Sequence, residues 1–172
     1  MDIVKLQIQK KRKELLFLFS KVYSGGLRGI DGYVVQVEAD VSDGLPGFYM
    51  VGSLASEVRE AEKRVRTAMR NAGFHLSARK ITVNLSPANV RKEGTACDLP
   101  VAIAVLAAYG IVMPSGLKQT GFLGELGLDG KIKPVRGVLS MVLAMAEKGL
   151  ERCFLPEENV EEGVAADCME IV

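Results

Sequence analysis

The chain has 172 residues, 48% of them hydrophobic, enough for one ordinary domain with a core of its own. Its 22 lysines and arginines stand against 21 acidic residues, so a formal charge of +1 gives no global sign that would by itself imply nucleic acid or a membrane surface. Three cysteines (Cys97, Cys153, Cys168) without a CxxC spacing, and His75 as the single histidine, exclude a disulfide framework, a zinc site and a histidine-based triad, and point to a reducing, cytoplasmic setting.

Residues 1–20, MDIVKLQIQKKRKELLFLFS, place a basic cluster before an apolar run too short for a signal peptide or a bilayer span. They are expected to form an N-terminal extension, a loosely docked helix without a membrane role. From Tyr33, the residues Tyr33, Val35, Val37, Ala39 and Val41 alternate with Val34, Gln36, Glu38 and Asp40, which predicts a half-buried strand. The turn-rich SDGLPG then leads into FYMVG, which predicts a hairpin. In SEVREAEKRVRTAMRNAG, the residues Val58, Ala61, Val65, Ala68, Met69 and Ala72 recur at helical spacing, and Gly73 sits where a glycine stop belongs.

Ile81, Val83 and Leu85 alternate with polar residues in a further strand, which delivers the chain into the loop SPANVRKEGTAC. Asp98 follows as the expected N-cap, with Pro100 in the first turn, where a missing N–H does no harm. Nearly every residue from Leu99 to Ala108 is small and apolar, so this helix is expected at the centre of the core. Asp129-Gly130 between GFLGEL and KIKPV predicts a hairpin. A helix over Val138 to Lys148 stops at Gly149, the strand ERCFLP follows, and PEENVEEGVAADCMEIV reads as a brief acidic helix and a last strand. The pattern is that of a single α+β domain.

Three stretches, VNLSPANVRKEGTACDLPVAIAVL, GFLGELGLDGKIKPVRGVL and RCFLPEENVEEG, resemble in order and spacing the proteolytic domain of Lon-type proteases. They are more similar still to the N-terminal, ChlI-type domain of the Mg-chelatase-like AAA+ proteins called YifB or ComM, whose opening also resembles Lys21 to Gly52. The resemblance covers residues 21–172. It implies a Lon-like, ribosomal-protein-like fold of two layers, a curved mixed sheet covered on one side by helices. It also implies a cis partner, an AAA+ module beyond residue 172 that would use ATP and Mg and assemble as a homo-oligomer, a hexamer in that context. ComM proteins are associated with DNA branch migration in natural transformation, so DNA is a further implied partner. No cofactor or metal is expected in this chain itself: there is no GxxxxGK[ST], and the nearest imitation, LDGKI, reads as a hairpin turn.

Lon-type proteases pair a serine, in a loop resembling KDGPSAG, with a lysine in one resembling LPIGGLKEK. Matched residue by residue, the first loop is Lys92, Glu93, Gly94, Thr95, Ala96, Cys97, Asp98, with Ala96 at the nucleophile's place. The second runs Lys133 to Leu139, with Leu139 at the lysine's place. Both halves of the dyad are absent, so no catalytic residue and no enzyme activity are expected. A register slip of one residue would bring Thr95 or Cys97 to the nucleophile's place, leaving a Lon-like peptidase as the alternative. Val135 to Met141 would still offer only Arg136, which cannot act as a base. Asp98, as a cap, is expected to consume the helix N–H groups that an oxyanion would need.

The helix around residues 58–72 carries Arg59, Lys63, Arg66 and Arg70 at offsets of four, three and four, a stripe opposite its apolar face. These are the candidate DNA-contact residues, with Arg91 and Lys92 adding charge in the loop and few aromatic partners nearby. Glu60 with Arg64 and Glu62 with Arg66 are expected to form ordinary i,i+4 pairs. The reading that results is a non-catalytic module serving assembly or contact with DNA or protein.

Overall fold

The computed structural model describes residues 18–172. The helix expected over residues 1–20 lies outside them except for its last three residues, and Phe19 and Ser20 already belong to a strand, β1 (Phe19–Arg28). This strand escapes a reading by alternation because Gly25 and Gly26 interrupt it. It turns at Gly29 and Ile30 into β2 (Asp31–Ser42), pairing antiparallel from Phe19 opposite Asp40 to Arg28 opposite Asp31.

The hairpin expected after β2 does not form. Strand β3 (Gly47–Val51) pairs parallel with β4 (Lys80–Ser86), and β4 lies between it and β2. A parallel pair needs a crossover, which the helices α1 (Ser56–Arg59) and α2 (Ala61–Asn71) supply. The buried Ile81, Val83 and Leu85 take the more central place. The predicted single helix is thus two, separated at Glu60; Val58, Ala61, Val65, Ala68 and Met69 are buried as expected, whereas Ala72 is exposed.

The seven-stranded sheet has the order β3-β4-β2-β1-β5-β8-β9, with β5 at Thr120–Phe122, β8 at Arg152–Phe154 and β9 at Glu170–Ile171. It is mixed: antiparallel at β4/β2 and β2/β1, parallel at its other junctions. A separate hairpin, β6 (Glu125–Leu126) and β7 (Ile132–Lys133), closes through Gly130 at φ +87°, as Asp129-Gly130 predicts.

Val35, Val37, Ala39 and Val41 of β2 are buried with Val22, Ile81, Val83 and Leu85 against α3 (Asp98–Ala108). Each buried valine contributes about 1.5–3 kcal/mol, and a slip of one residue would exchange this set for Gln36, Glu38 and Asp40, so the register is firmly specified. Every residue of α3 except Ile103 is buried, and the Ser20 hydroxyl donates to the Ala104 carbonyl at 2.6 Å.

The expected one-sided covering is corrected by helix α4 (Val138–Glu147), which packs on the opposite face. There Met141, Val142 and Met145 meet Val34 and Tyr23, which point away from α3. Glycines on three neighbouring strands make this seat: a Cβ at Gly25 would strike Met141, at Gly32 the Ser140 carbonyl, and at Gly121 the Met145 sulfur. Beyond α4 this face carries polar groups, with Glu38 accepting from Gln36 at 2.7 Å and Asn84 at 2.9 Å. A short helix, α5 (Val160–Val164), precedes β9.

Candidate functional site

The loop from Lys92 to Asp98 joins β4 to α3 and is tied to the start of the crossover at three points. Lys92 bridges to the chain near Leu54, with its N–H on the Ser53 carbonyl at 2.8 Å and its own carbonyl accepting from Ala55 at 3.0 Å. The Gly94 N–H donates to Glu57 Oε1 at 3.3 Å. Asp98, 1% exposed, holds Arg64 of α2 through Nε at 2.7 Å and Nη2 at 2.9 Å. The expected Glu60–Arg64 pair is therefore replaced by a buried, forked one. Burial pushes the Asp98 carboxyl above its ordinary range while Arg64 pulls it back.

One expectation about loop charge needs correction. Lys92 is not surface charge: it is 1% exposed, with Nζ donating to the carbonyls of Pro87 and of Val90, the latter at 2.8 Å. Desolvation lowers its pKa, and its role is to hold the loop's carbonyls together. Arg91 is exposed and faces Glu93 at 3.5 Å.

Asp98 is not the N-cap of α3 either. The cap is Cys97, without a side-chain bond, and the Asp98 carboxylate instead accepts from Arg64 and from the Leu126 N–H at 3.3 Å. The first turn is nevertheless closed to an oxyanion. The Asp98 N–H donates to the Thr95 carbonyl at 3.1 Å, the Leu99 N–H to the Gly124 carbonyl at 3.0 Å, and the third residue is Pro100, which has no N–H. Backbone geometry, rather than a capping carboxylate, uses these donors.

Ala96 is half-buried and packs against the cluster to which Val138 also belongs. Leu139 is 38% exposed, and its N–H donates to Glu162. Neither position offers a hydroxyl or an amine. Of the shifted candidates, Cys97 is buried against Ser24, and burial raises its thiol to about 11, the environment of an unreactive cysteine. Thr95 donates to Glu125 Oε2 at 2.6 Å, and Glu125 faces Lys133 at 4.0 Å. This chain of contacts across the hairpin is invisible to spacing along the sequence.

Arg59, Lys63, Arg66 and Arg70 are all exposed on α1 and α2, and Glu62 faces Arg66 at 3.8 Å. The last three of them line a cleft of about 570 Å³ between α2 and the segment entering β4. The cleft adds Arg79, Phe74 and Tyr109, so aromatic rings are not scarce here as the sequence had suggested. Among the described residues, no group of three or more His, Cys, Asp or Glu is placed to hold a metal ion, and no helix is long and apolar enough to cross a membrane.

Comparison with known proteins adds a family. The family model for subunit ChlI of Mg-chelatase matches residues 37–159. The chain is 43% identical over 141 residues to the competence protein ComM of Haemophilus influenzae, covering 82% of this chain and 28% of that protein. It is 38% identical over 143 residues to the protein YifB of Escherichia coli, covering 83% and 28%. Against the Lon protease of Mycolicibacterium smegmatis it is 29% identical over 140 residues, 76% of this chain and 17% of the protease. The chain spans less than a third of the length of each of these relatives, and 30% of the mycobacterial relatives that it matches at 38% identity.

Proposed function

Because the chain belongs to the Mg-chelatase-like family of ComM and YifB, we propose that it acts as a non-catalytic module of a larger ATPase of that kind. In this reading ATP and Mg are used by an AAA+ module in cis, the assembly is a homo-oligomer, hexameric as is usual for AAA+ rings, and the work is done on DNA in the cytoplasm, as in competence. The Lon-like, curved frame is retained as a scaffold. What supports it is that Ala96 and Leu139, which match the two positions of the Lon dyad in sequence, bring neither a hydroxyl nor an amine, while the N–H groups at the start of α3 are already occupied. Contact with DNA goes through the phosphates, held by Arg59, Lys63, Arg66 and Arg70.

One observation favours a second reading, a peptidase using Thr95: its hydroxyl lies on the Glu125 carboxylate at 2.6 Å. Incubation with casein separates the two. No turnover is expected; hydrolysis that vanishes in Thr95→Ala or Cys97→Ala would overturn the non-catalytic reading.

A further inference from the structure

We propose that the cleft beside α2 binds a single strand of nucleic acid, one base stacking on Phe74 and the neighbouring phosphates lying on Lys63, Arg66, Arg70 and Arg79. The proposal rests on the DNA-contacting reading of the domain and adds which form of nucleic acid is held, and by which residues.

The charge in the cleft is one-sided. Among the described residues, four cations line it with a single carboxylate, Glu62. Among the described residues, Arg79 has a carboxylate partner only in the exposed Asp43 at 3.6 Å, a pair that competing phosphates displace readily. Among the described residues, Lys63 and Arg70 meet no carboxylate within 4.0 Å. Lys63 and Arg70 are seven residues apart, about 10 Å along a helix axis. That spacing suits two separate phosphates of a strand rather than one phosphate group, and among the described residues the cleft has no glycine-rich loop to cradle a single one.

The apolar part of the cleft points the same way. Phe74 lines the cleft and is 37% exposed. Gly73, at φ +91°, turns the chain there, and the Phe74 N–H is fixed on the Met69 carbonyl at 2.9 Å. The ring is therefore held at the cleft by a determined backbone. Tyr109 also lines the cleft, its hydroxyl donating to the Ser77 carbonyl at 2.8 Å. A positively charged groove with aromatic faces is the arrangement that holds unpaired bases without regard to sequence. A duplex keeps its bases stacked on one another and could offer this cleft only its backbone.

The chain contains no tryptophan, so Phe74→Trp places a single reporter ring in the cleft. At low ionic strength, an oligo(dT) of roughly 12 nucleotides is expected to quench its emission, and a blunt duplex to leave it unchanged. Phe74→Leu keeps an apolar side chain but removes the ring, and is expected to weaken oligo(dT) binding about fivefold or more while duplex binding holds. Replacing Lys63 and Arg70 together by glutamine should lower the salt slope of log K on the single strand by about 0.7 per lost contact. Absence of quenching, with oligo(dT) affinity unchanged in Phe74→Leu, overturns the proposal. Persistent duplex binding in that case leaves the phosphate contact of the wider domain standing; loss of both forms of binding removes that reading too. Equal quenching by thymidine monophosphate at the same nucleotide concentration also overturns the strand proposal, in favour of a free nucleotide.

Discussion

Replacing Arg64 by methionine keeps a long apolar stem but leaves Asp98 a buried charge with one weak partner. The native carboxylate takes three bonds, two from Arg64 at 2.7 and 2.9 Å and one from the Leu126 N–H at 3.3 Å, and the variant loses the two charge-assisted ones. Removing one member of a buried pair costs about 3–5 kcal/mol. Because Arg64 keeps 20% of its side chain exposed, water can refill its place, and a loss of about 3 kcal/mol is expected. With a urea dependence of about 2 kcal/mol/M, the unfolding midpoint followed by far-UV circular dichroism should fall by about 1.5 M. The pH dependence has a definite sign. Burial raises the Asp98 pKa and Arg64 lowers it, so the variant's folded-state pKa lies further above the unfolded one. The penalty for holding the ionised form is then full above the folded pKa and disappears as pH falls below the unfolded pKa, so the deficit against the parent should shrink on acidification. Asp98→Asn in the same background should recover part of the loss. A loss under about 1 kcal/mol that does not change with pH would show that the pair behaves as a surface ion pair and refute the reasoning.

Two further outcomes concern the thiols. Of the three cysteines only Cys168 is exposed, so a thiol-reactive dye should titrate one group in the native protein and three after denaturation; fast labelling of Cys97 without unfolding would revive it as a nucleophile. Burial raises Cys97 to about 11 and Cys153 to about 12 from an ordinary 9.0. The folded state therefore holds both protons more tightly than the unfolded one, and this contribution to stability is present below about pH 9 and lost as pH rises through the folded pKa values. Between pH 9 and 11 the unfolding free energy should fall by up to about 1.4 kcal/mol per pH unit for each thiol. Cys153→Ala should flatten that slope, and an unchanged slope would refute the assignment.

The elements that could be read from the sequence are those whose signal lies within a few residues. The alternation of Val35 to Val41 and of Ile81 to Leu85, the small apolar run of α3 and the Asp129-Gly130 turn are local patterns, and each formed the element that they predict. That Ala96 and Leu139 bring no hydroxyl and no amine was likewise legible, because it is a property of a single residue. Partnership is different, since it pairs groups far apart in the chain. Strand β3 found β4 rather than β2 only because the crossover returns the chain between them. The covering of the second sheet face depended on glycines from three strands standing side by side. Asp98 had the residue type of a cap, but Arg64, 34 positions earlier, came close enough to take its carboxylate. Phe74, Arg79 and Tyr109 became neighbours of the cation stripe only once α2, β4 and α3 had packed together. Local periodicity thus determined many of the strands and helices, though not the glycine-interrupted β1 or the break at Glu60, while the tertiary fold decided which charges are buried, which donors are spent and where a cleft opens, because those depend on distances that chain spacing does not encode.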